Sequence, residues 1–337
     1  MERLPPGKIP VDILKEVVFK NLGATRKEVT LGPAAGVDGA VIDVGNTSLI
    51  VSMDPITGAV ERIGYLAVNV NANDVATFGV EPAFLFSCLL LPQKTNRKMV
   101  EVISSQMNKA AKDLGMAIVG GHCESTPQLT HPVVVGCAIG ITEKGKYVTA
   151  AGAKTEDKLI LTKTAGIEGT AILAWDREAE LRKILNPLQL KNAKAFYDKI
   201  SVVKDALTAC KTGGVHAMHD PTEGGIAGGI HEMADAAKLG VEVLQEQIVV
   251  EAETTKICEY FKLDPLQLIS SGALLVAADP DFANSIVENL RRQNIQATII
   301  GEFTADPECR LLENKEGKTQ KLPRPKSDHL WKALMRQ

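Results

Sequence analysis

The sequence predicts an α/β (α+β) fold in two domains, and three observations carry that expectation. A chain of 337 residues with 45% hydrophobic side chains is long enough to close two cores rather than one. Along both halves, runs rich in β-branched residues alternate with stretches of helical periodicity, the pattern of sheets covered by helices. Between the halves, a Gly-Ala-Lys-Thr-Glu-Asp stretch within 150–157 separates two β-rich runs, which sets the expected domains at 1–152 and 153–337.

After a Pro- and Gly-rich start, residues 11–22 read as a short helix. AVIDV (40–44) and TSLIVSMD (47–54) are β-rich runs joined across Gly45 and Asn46, a hairpin signal. A helix over 62–78 is expected to stop at Gly79, with Pro82 preventing its continuation, and 84–91 is a strand. From Asn96 onward Met99, Ile103, Met107, Ala110 and Leu114 fall at helical spacing, with Gly115 as the stop. Strands at 116–121 and 133–141 complete the first half. The second half reads as strand 158–163, helices 169–178 and 188–210, the Gly-rich loop HDPTEGG (219–225), helix 226–238, strands 241–244 and 273–278, helix 281–292 and strand 297–303.

Composition excludes several classes. Lys and Arg total 38 against 41 Asp and Glu, so the formal charge of −3 leaves no cationic field for nucleic acid or anionic lipid. The opening MERLPPGKIP lacks the apolar core of an export signal, and no apolar run is long enough for a bilayer, so the expected compartment is the cytoplasm. Cys88, Cys123, Cys137, Cys210, Cys258 and Cys309 show no CxxC spacing, which argues against a zinc cage or redox dithiol. No GxxxxGK[ST], post-strand GxGxxG, GxSxG or HExxH is present, so any nucleotide binds by another architecture, and serine-hydrolase and zincin readings drop out.

Three segments carry candidate chemistry. The helix IGYLAVNVNANDVATFG holds Asn69, Asn71, Asn73 and Asp74, weak helix formers that compete with the backbone, and Asn69, Asn73 and Thr77 share one stripe without the Lys and Glu of a solvated face. Asp54 ends an apolar strand and Asp38 precedes another; strand-end carboxylates suit a hard cation such as Mg²⁺, although each can equally cap a turn. In HDPTEGGIAGG, Asp220 and Thr222 precede Gly224 and Gly225 at a helix start, where exposed N–H groups and the helix dipole suit a phosphate, as they also serve plain packing. KTAGIEGTAIL, with Gly166, and AIVGGHCES, with Gly120 and Gly121, repeat the arrangement. His122 beside Cys123 suggests a Cys/His nucleophile only weakly, because adjacent residues point apart on a strand.

Together these segments resemble the superfamily of AIR synthase, selenophosphate synthetase, thiamine-phosphate kinase and the hydrogenase maturation factor HypE, with the nearest likeness to HypE. GVDGAVI resembles that family's DDAAVI, SMDP its Ser-Thr-Asp, NANDVATFGVEP its NDLAxMGAxP, MHDPTEGGIAG its MRDPTRGGLAA, and LDPLQLISSGALLVA its LDPL…NEGKLVA. The likeness runs from about residue 30 to residue 303. It implies a ferredoxin-like N-terminal domain that pairs its sheet with a second subunit in a homodimer, an α/β C-terminal domain, and ATP with Mg²⁺ in a cleft. It also implies that Asp38, Asp54 and Asp74 hold Mg²⁺ and phosphate, that Asn73 contacts the nucleotide, and that Gly121, Gly166, Asp220, Thr222, Gly224 and Gly225 belong to loops facing phosphate or substrate. Lys8 of the PPGK loop is an added candidate phosphate contact. Asp54, Asp74, Asp220 and His122 form the candidate catalytic set, His122 standing where the family has an acidic residue.

Val37 replaces the first Asp of DDAA, Glu223 the Arg of DPTRGG, and Ser271 and Ala273 the Glu and Lys of NEGK. The leading expectation is an ATP-dependent enzyme that phosphorylates an amide or carbonyl oxygen of a small molecule or peptide. Its rival is a nucleotide-binding accessory or maturation protein without turnover. HypE carries its carboxamide on a terminal cysteine, whereas no cysteine follows Cys309 here, so the activated carbonyl is expected on a separate molecule.

Overall fold

The computed structural model describes residues 4, 7–57 and 60–336, and it resolves into two compact units. One comprises Arg26–Gly32 and Asp38–Tyr147; the other combines the described residues up to Thr25 with Pro33–Val37 and the described residues from Val148 onward. Among the described residues no helix is long and apolar enough to cross a membrane.

The chain opens on α1 (Val11–Ile13), which runs on as one wide turn over Leu14–Val18. The sequence extends this helix to 22; the structure ends it four residues earlier. None of its residues is buried, so no apolar face rewards a longer helix, and the Asn21 amide closes the end by donating to the Val17 carbonyl.

The first unit contains β1 (Val29–Leu31), β2 (Ala40–Val44), β3 (Thr47–Ile56), α2 (Ile63–Ala76), β4 (Pro82–Pro92), α3 (Arg97–Asp113), β5 (Ala117–Thr126) and β6 (Val133–Glu143). The strands form one sheet in the order β1-β2-β3-β6-β4-β5. Hairpin β2/β3 turns at Gly45 and Asn46 as expected, with Val44 opposite Thr47. Only β4 and β5 are parallel, joined by α3, whose N-cap Asn96 accepts the Met99 N–H. Inward residues Ser48, Ile50 and Ser52 of β3 and Val134, Gly136, Ala138 and Gly140 of β6 alternate with more exposed ones, so one face packs on α2. Every residue of α2 except Tyr65 is buried.

The second unit contains β7 (Lys158–Thr162), α4 (Ile167–Asp176), α5 (Glu178–Leu181), α6 (Pro187–Ala195), α7 (Val203–Thr212), β8 (Val215–His219), α8 (Gly225–Ala237), β9 (Gly240–Leu244), α9 (Ala252–Phe261), β10 (Leu275–Ala278), α10 (Pro280–Arg292), β11 (Ala297–Thr304), β12 (Arg310–Glu313), β13 (Thr319–Lys321) and α11 (His329–Leu334). Its sheet runs β13-β12-β9-β11-β7-β10-β8. The single helix expected over 188–210 is two helices, α6 and α7, linked by a 3-10 turn at Phe196–Lys199. The break follows from Ile200 and Val202, both fully buried, which draw the chain into the core between the helices.

Candidate functional site

In the first unit α2 clamps the strand end that carries Asp54. The Asp54 N–H donates to Asn71 Oδ1 at 2.8 Å, while Asn71 Nδ2 donates to the carbonyls of Asp54 (3.2 Å) and Ala67 (2.9 Å). Asn71 thereby behaves as one rung of a β-ladder projected from a helix. Gly136 of β6 makes room for it, since a Cβ there would lie 2.4 Å from Asn71 Nδ2. Three residues along the helix, Asp74 accepts the Ser52 hydroxyl at 2.6 Å and is 4% exposed. Asn69 Nδ2 donates to the Tyr65 carbonyl, the Thr77 hydroxyl donates to the Asp74 carbonyl, and Asn73 is fully buried. The stripe of Asn69, Asn73 and Thr77 thus faces protein rather than water, and Asn and Asp here satisfy buried polar groups.

Asp38 and Asp54 are half-buried oxygen donors, a suitable chemistry for a hard cation. Among the described residues Asp38, Asp54 and Asp74 do not gather as a three-carboxylate cluster within 4.8 Å. Gly121 has φ +146°, and a Cβ on it would strike the Ser87 carbonyl of β4, so strand pairing alone requires glycine at this position. His122 is exposed on edge strand β5; its Nε2 lies 3.2 Å from Glu124 Oε2, and the Thr126 hydroxyl donates to Glu124 Oε1. Those two bonds, Thr126 first, hold the Glu124 carboxyl below its ordinary range.

The second unit gathers three loops at the start of α8. Asp220 is buried; Lys8 Nζ donates to the Thr222 hydroxyl at 3.0 Å, and the Lys8 N–H donates to Glu223 Oε2 at 2.8 Å. The Thr222 carbonyl accepts the N–H groups of Gly225 (3.0 Å) and Ser270 (3.4 Å). Gly225 has φ +63° and packs so closely on residues 266–268 that a Cβ would sit 2.6 Å from the Leu268 carbonyl. The sequence aims the N–H groups of Gly224 and Gly166 at phosphate; in the structure each has an acceptor in the chain itself. Gly224 donates to Asp328 Oδ2 at 2.7 Å and Gly166 to the Ser270 hydroxyl at 2.8 Å. Buried N–H groups need partners, and these loops supply their own.

Three residues that sequence reading passed over organise this region. Ser270 ties the loops of Gly166, Thr222 and Leu268 together through its N–H and hydroxyl. Lys163 is half-buried, its ammonium donating to the carbonyls of Ser201 (2.7 Å) and Gly272 (2.8 Å) and meeting the buried Asp205 at 2.9 Å; burial lowers its pKa while Asp205 opposes that shift. Asp328 is 2% exposed and accepts from the N–H groups of Gly224, Leu330 and Ile269. Behind the loop, His219 Nε2 lies 2.8 Å from Glu232 Oε2; burial works to raise the Glu232 carboxyl, but the His219 bond and charge, with Lys8 and Arg324, bring it down to about 2. All six cysteines are free, and burial pushes the thiols of Cys210 to about 11 and Cys258 to about 12 and raises that of the half-buried Cys309, so these three make poor thiolates.

Two matches decide the relationship. Residues 36–142 match the N-terminal domain, and residues 154–313 the C-terminal domain, of AIR synthase related protein. The chain belongs to the AIR synthase-related family. Within it, the chain is 27% identical to a provisionally named hydrogenase expression/formation protein of Methanocaldococcus jannaschii, over 93% of this chain and 92% of that protein. It is 24% identical to carbamoyl dehydratase HypE of Bradyrhizobium diazoefficiens, over 81% and 79% of the two chains. In fold it is similar to HypE from a HypE-HypF complex (TM-score 0.78, 21% identity, 93% and 99% covered) and HypE in complex with ATP (0.72, 21%, 97% and 98%). It is likewise similar to a ThiL complexed with AMPPCP and TMP (0.72, 19%, 96% and 100%).

Proposed function

We propose that this chain is an ATP- and Mg²⁺-dependent enzyme that phosphorylates an amide or carbonyl oxygen of a small molecule or peptide, turning that oxygen into a leaving group. The observation that carries the reading is the presence of both family domains with the two family segments built into rigid scaffolds, the DPTEGG loop pinned by Lys8 and Ser270 and the Asn-rich helix gripping the strand end at Asp54. Relatives named carbamoyl dehydratase and a HypE complexed with ATP support the reaction class. Asp38, Asp54 and Asp74, the last fixed by the Ser52 hydroxyl, would serve Mg²⁺ and phosphate; the bound ion would neutralise phosphate charge. Asn73 is proposed as a nucleotide contact, Lys8 and Thr222 as phosphate contacts, Gly121, Gly166, Gly224 and Gly225 as the loop backbone, Asp220 as a loop carboxylate, and His122 as the group that gives or takes a proton. The proposed division at 152/153 falls between the two matched ranges, and a dependence on ATP makes the cytoplasm the proposed compartment.

Mg²⁺-ATP should raise the melting temperature, and Asp54→Asn combined with Asp74→Asn should remove most of that rise, because a ligand that binds only the native state stabilises it. An unchanged rise in the double variant would take both residues out of the site. A second reading, a nucleotide-binding accessory protein without turnover, is favoured by His122 at an acidic position and by Ser271 and Ala273 in place of Glu and Lys. ADP release measured with Mg²⁺-ATP alone and with a panel of amides and phosphorylated metabolites separates the two; no stimulation by any compound favours the accessory role.

The proposed assembly is a homodimer through the outer face of the first unit's sheet. Met53, Cys137 and Phe86 stand in one row across β3, β6 and β4, with Met53 61% and Phe86 43% exposed and Ile141 of β6 also uncovered. An apolar sheet face of this kind marks an interaction surface.

A further inference from the structure

The last fifteen described residues do not trail away from the second unit; they run back along α8 to its beginning. The Leu322 carbonyl faces His231 Nε2 at 3.3 Å, and the Arg324 guanidinium grips both carboxylate oxygens of Asp235 at 3.1 and 2.9 Å. Pro325 then lies over the first turn, its Cβ and Cγ 3.5 Å from where a Gly224 side chain would begin. Asp328 follows, buried, with one oxygen on the Gly224 N–H at 2.7 Å and the other on the Leu330 N–H at 2.7 Å. Beyond it His329 Nδ1 accepts the Asp264 N–H at 2.9 Å, and the Arg336 guanidinium donates to the Tyr260 carbonyl while stacking on the rings of Tyr260 and Phe261.

The chain therefore brings its own carboxylate to the N–H that opens the glycine loop. A carboxylate there satisfies a helix-start donor and interacts favourably with the positive end of the helix. It also removes that donor from any other anion, and Pro325 covers the same turn.

We propose that residues 322–336 are an autoinhibitory strap: the Asp328 carboxylate holds the Gly224 N–H, and a phosphate-bearing ligand gains the loop only when the strap lifts. This rests on the reading of loop 220–225 as a phosphate-binding element. The strap is fastened at two separable points, the Asp328 contact at the loop and the Arg324–Asp235 pair further along α8, and loosening either one shifts the balance towards the open loop. A ligand that binds only the open form is weakened by the fraction of molecules that are open, so a strap closed in about nine molecules of ten costs about tenfold in apparent affinity.

The experiment uses the full chain as wild type, Asp328→Asn and Arg324→Ala, with Mg²⁺-ATP affinity measured by calorimetry and circular dichroism confirming each fold. Asp328→Asn keeps the shape of the side chain but replaces one of its two accepting oxygens, each of which takes an N–H, by an NH2 donor that cannot accept, and Arg324→Ala does not touch the loop, so the second variant carries the test if the first fails to fold. Both variants are expected to bind Mg²⁺-ATP more tightly than wild type, by about tenfold if the strap is closed as above. In wild type, Mg²⁺-ATP is expected to speed tryptic cleavage after the exposed Lys326 and amide exchange at Gly224 and Leu330. Wild type and folded variants binding equally well, or variants binding more weakly, overturns the strap and leaves the ATP reading standing. No binding by any form overturns both.

Discussion

Asp328 is an acid placed where its titration reports on the strap. Burial pushes its carboxyl up to about 6, the charge of Glu223 adds to that, and the N–H groups of Leu330, Gly224 and Ile269 pull against it. The other ionisable groups nearby are Lys8, whose N–H rests on Glu223, and His329 with Lys332 on α11. A folded pKa above the unfolded 3.8 means that the proton favours the fold: the contribution is complete below about pH 3.8 and is lost as pH rises through about 6. Two pH units correspond to roughly 3 kcal/mol. Asp328→Asn cannot ionise, so the stability of wild type relative to this variant should fall by up to that amount between pH 4 and 7, read from urea unfolding at each pH. A difference that stays constant with pH would contradict the buried, proton-linked contact. Asn71 offers a second test at the same scale. Asn71→Leu keeps the volume but leaves the Asp54 N–H and carbonyl without their side-chain partner, at a cost of about 2 kcal/mol or more in urea unfolding; a loss within a few tenths of that of a surface variant would show that the clamp on Asp54 is dispensable.

Elements are held together here by polar pins that local sequence pattern does not display. Lys163 leaves the end of β7 and ties the break before α7, through the Ser201 carbonyl and Asp205, to the 270–273 loop through the Gly272 carbonyl. Removing one partner of a buried pair strands the other charge, so Lys163→Met should destabilise by about 3–5 kcal/mol, and adding Asp205→Asn should recover part of the loss. A single-variant cost below about 1 kcal/mol would mean that the pair is solvated in practice. The hairpin at Gly45 and Asn46, the helix capped by Asn96 and the glycine-rich start of α8 were legible because their signals lie within a few residues of one another. Helix α9 is legible by the same rule, since Thr254, Ile257, Cys258 and Phe261 are its buried face at helical spacing. Ser270 and Asp328 were not, because the bonds from Gly166 to Ser270 and from Gly224 to Asp328 each span 104 residues, and no local period announces such a partner. The same distance explains why the composition of the DPTEGG loop identified it while the acceptors of its N–H groups stayed hidden.

At the scale of the whole molecule, the outer sheet face of the first unit is the feature that a lone chain leaves unexplained. Alternation along β3 and β6 gives α2 the residues Ile50, Ser52, Val134 and Ala138 and turns Val51, Met53, Val135, Cys137 and Ile139 the other way. On that outward side the row Met53, Cys137 and Phe86 continues to Gly120 of β5, and none of the four is charged. Proteins that keep such a surface in water usually interrupt it with Lys or Glu, and edge strands are guarded in the same way. In the proposed homodimer this face, apolar in the middle of the sheet and without that interruption, closes against its own copy, so that one symmetric contact covers both chains. A charge placed in the middle of that contact would have to be buried without a partner, at a cost of several kcal/mol counted once for each subunit. Phe86→Lys should therefore convert a dimer at micromolar concentration into a monomer in sedimentation, whereas Val44→Lys, at the far end of the β2/β3 hairpin where 57% of the residue is already exposed, should leave it intact. Because Phe86 is 43% exposed within its own unit, the monomeric variant should unfold at nearly the same urea concentration as wild type studied at high dilution. A wild-type chain that sediments as a monomer at micromolar concentration, or a Phe86→Lys chain that stays dimeric, would move the partner of this sheet elsewhere.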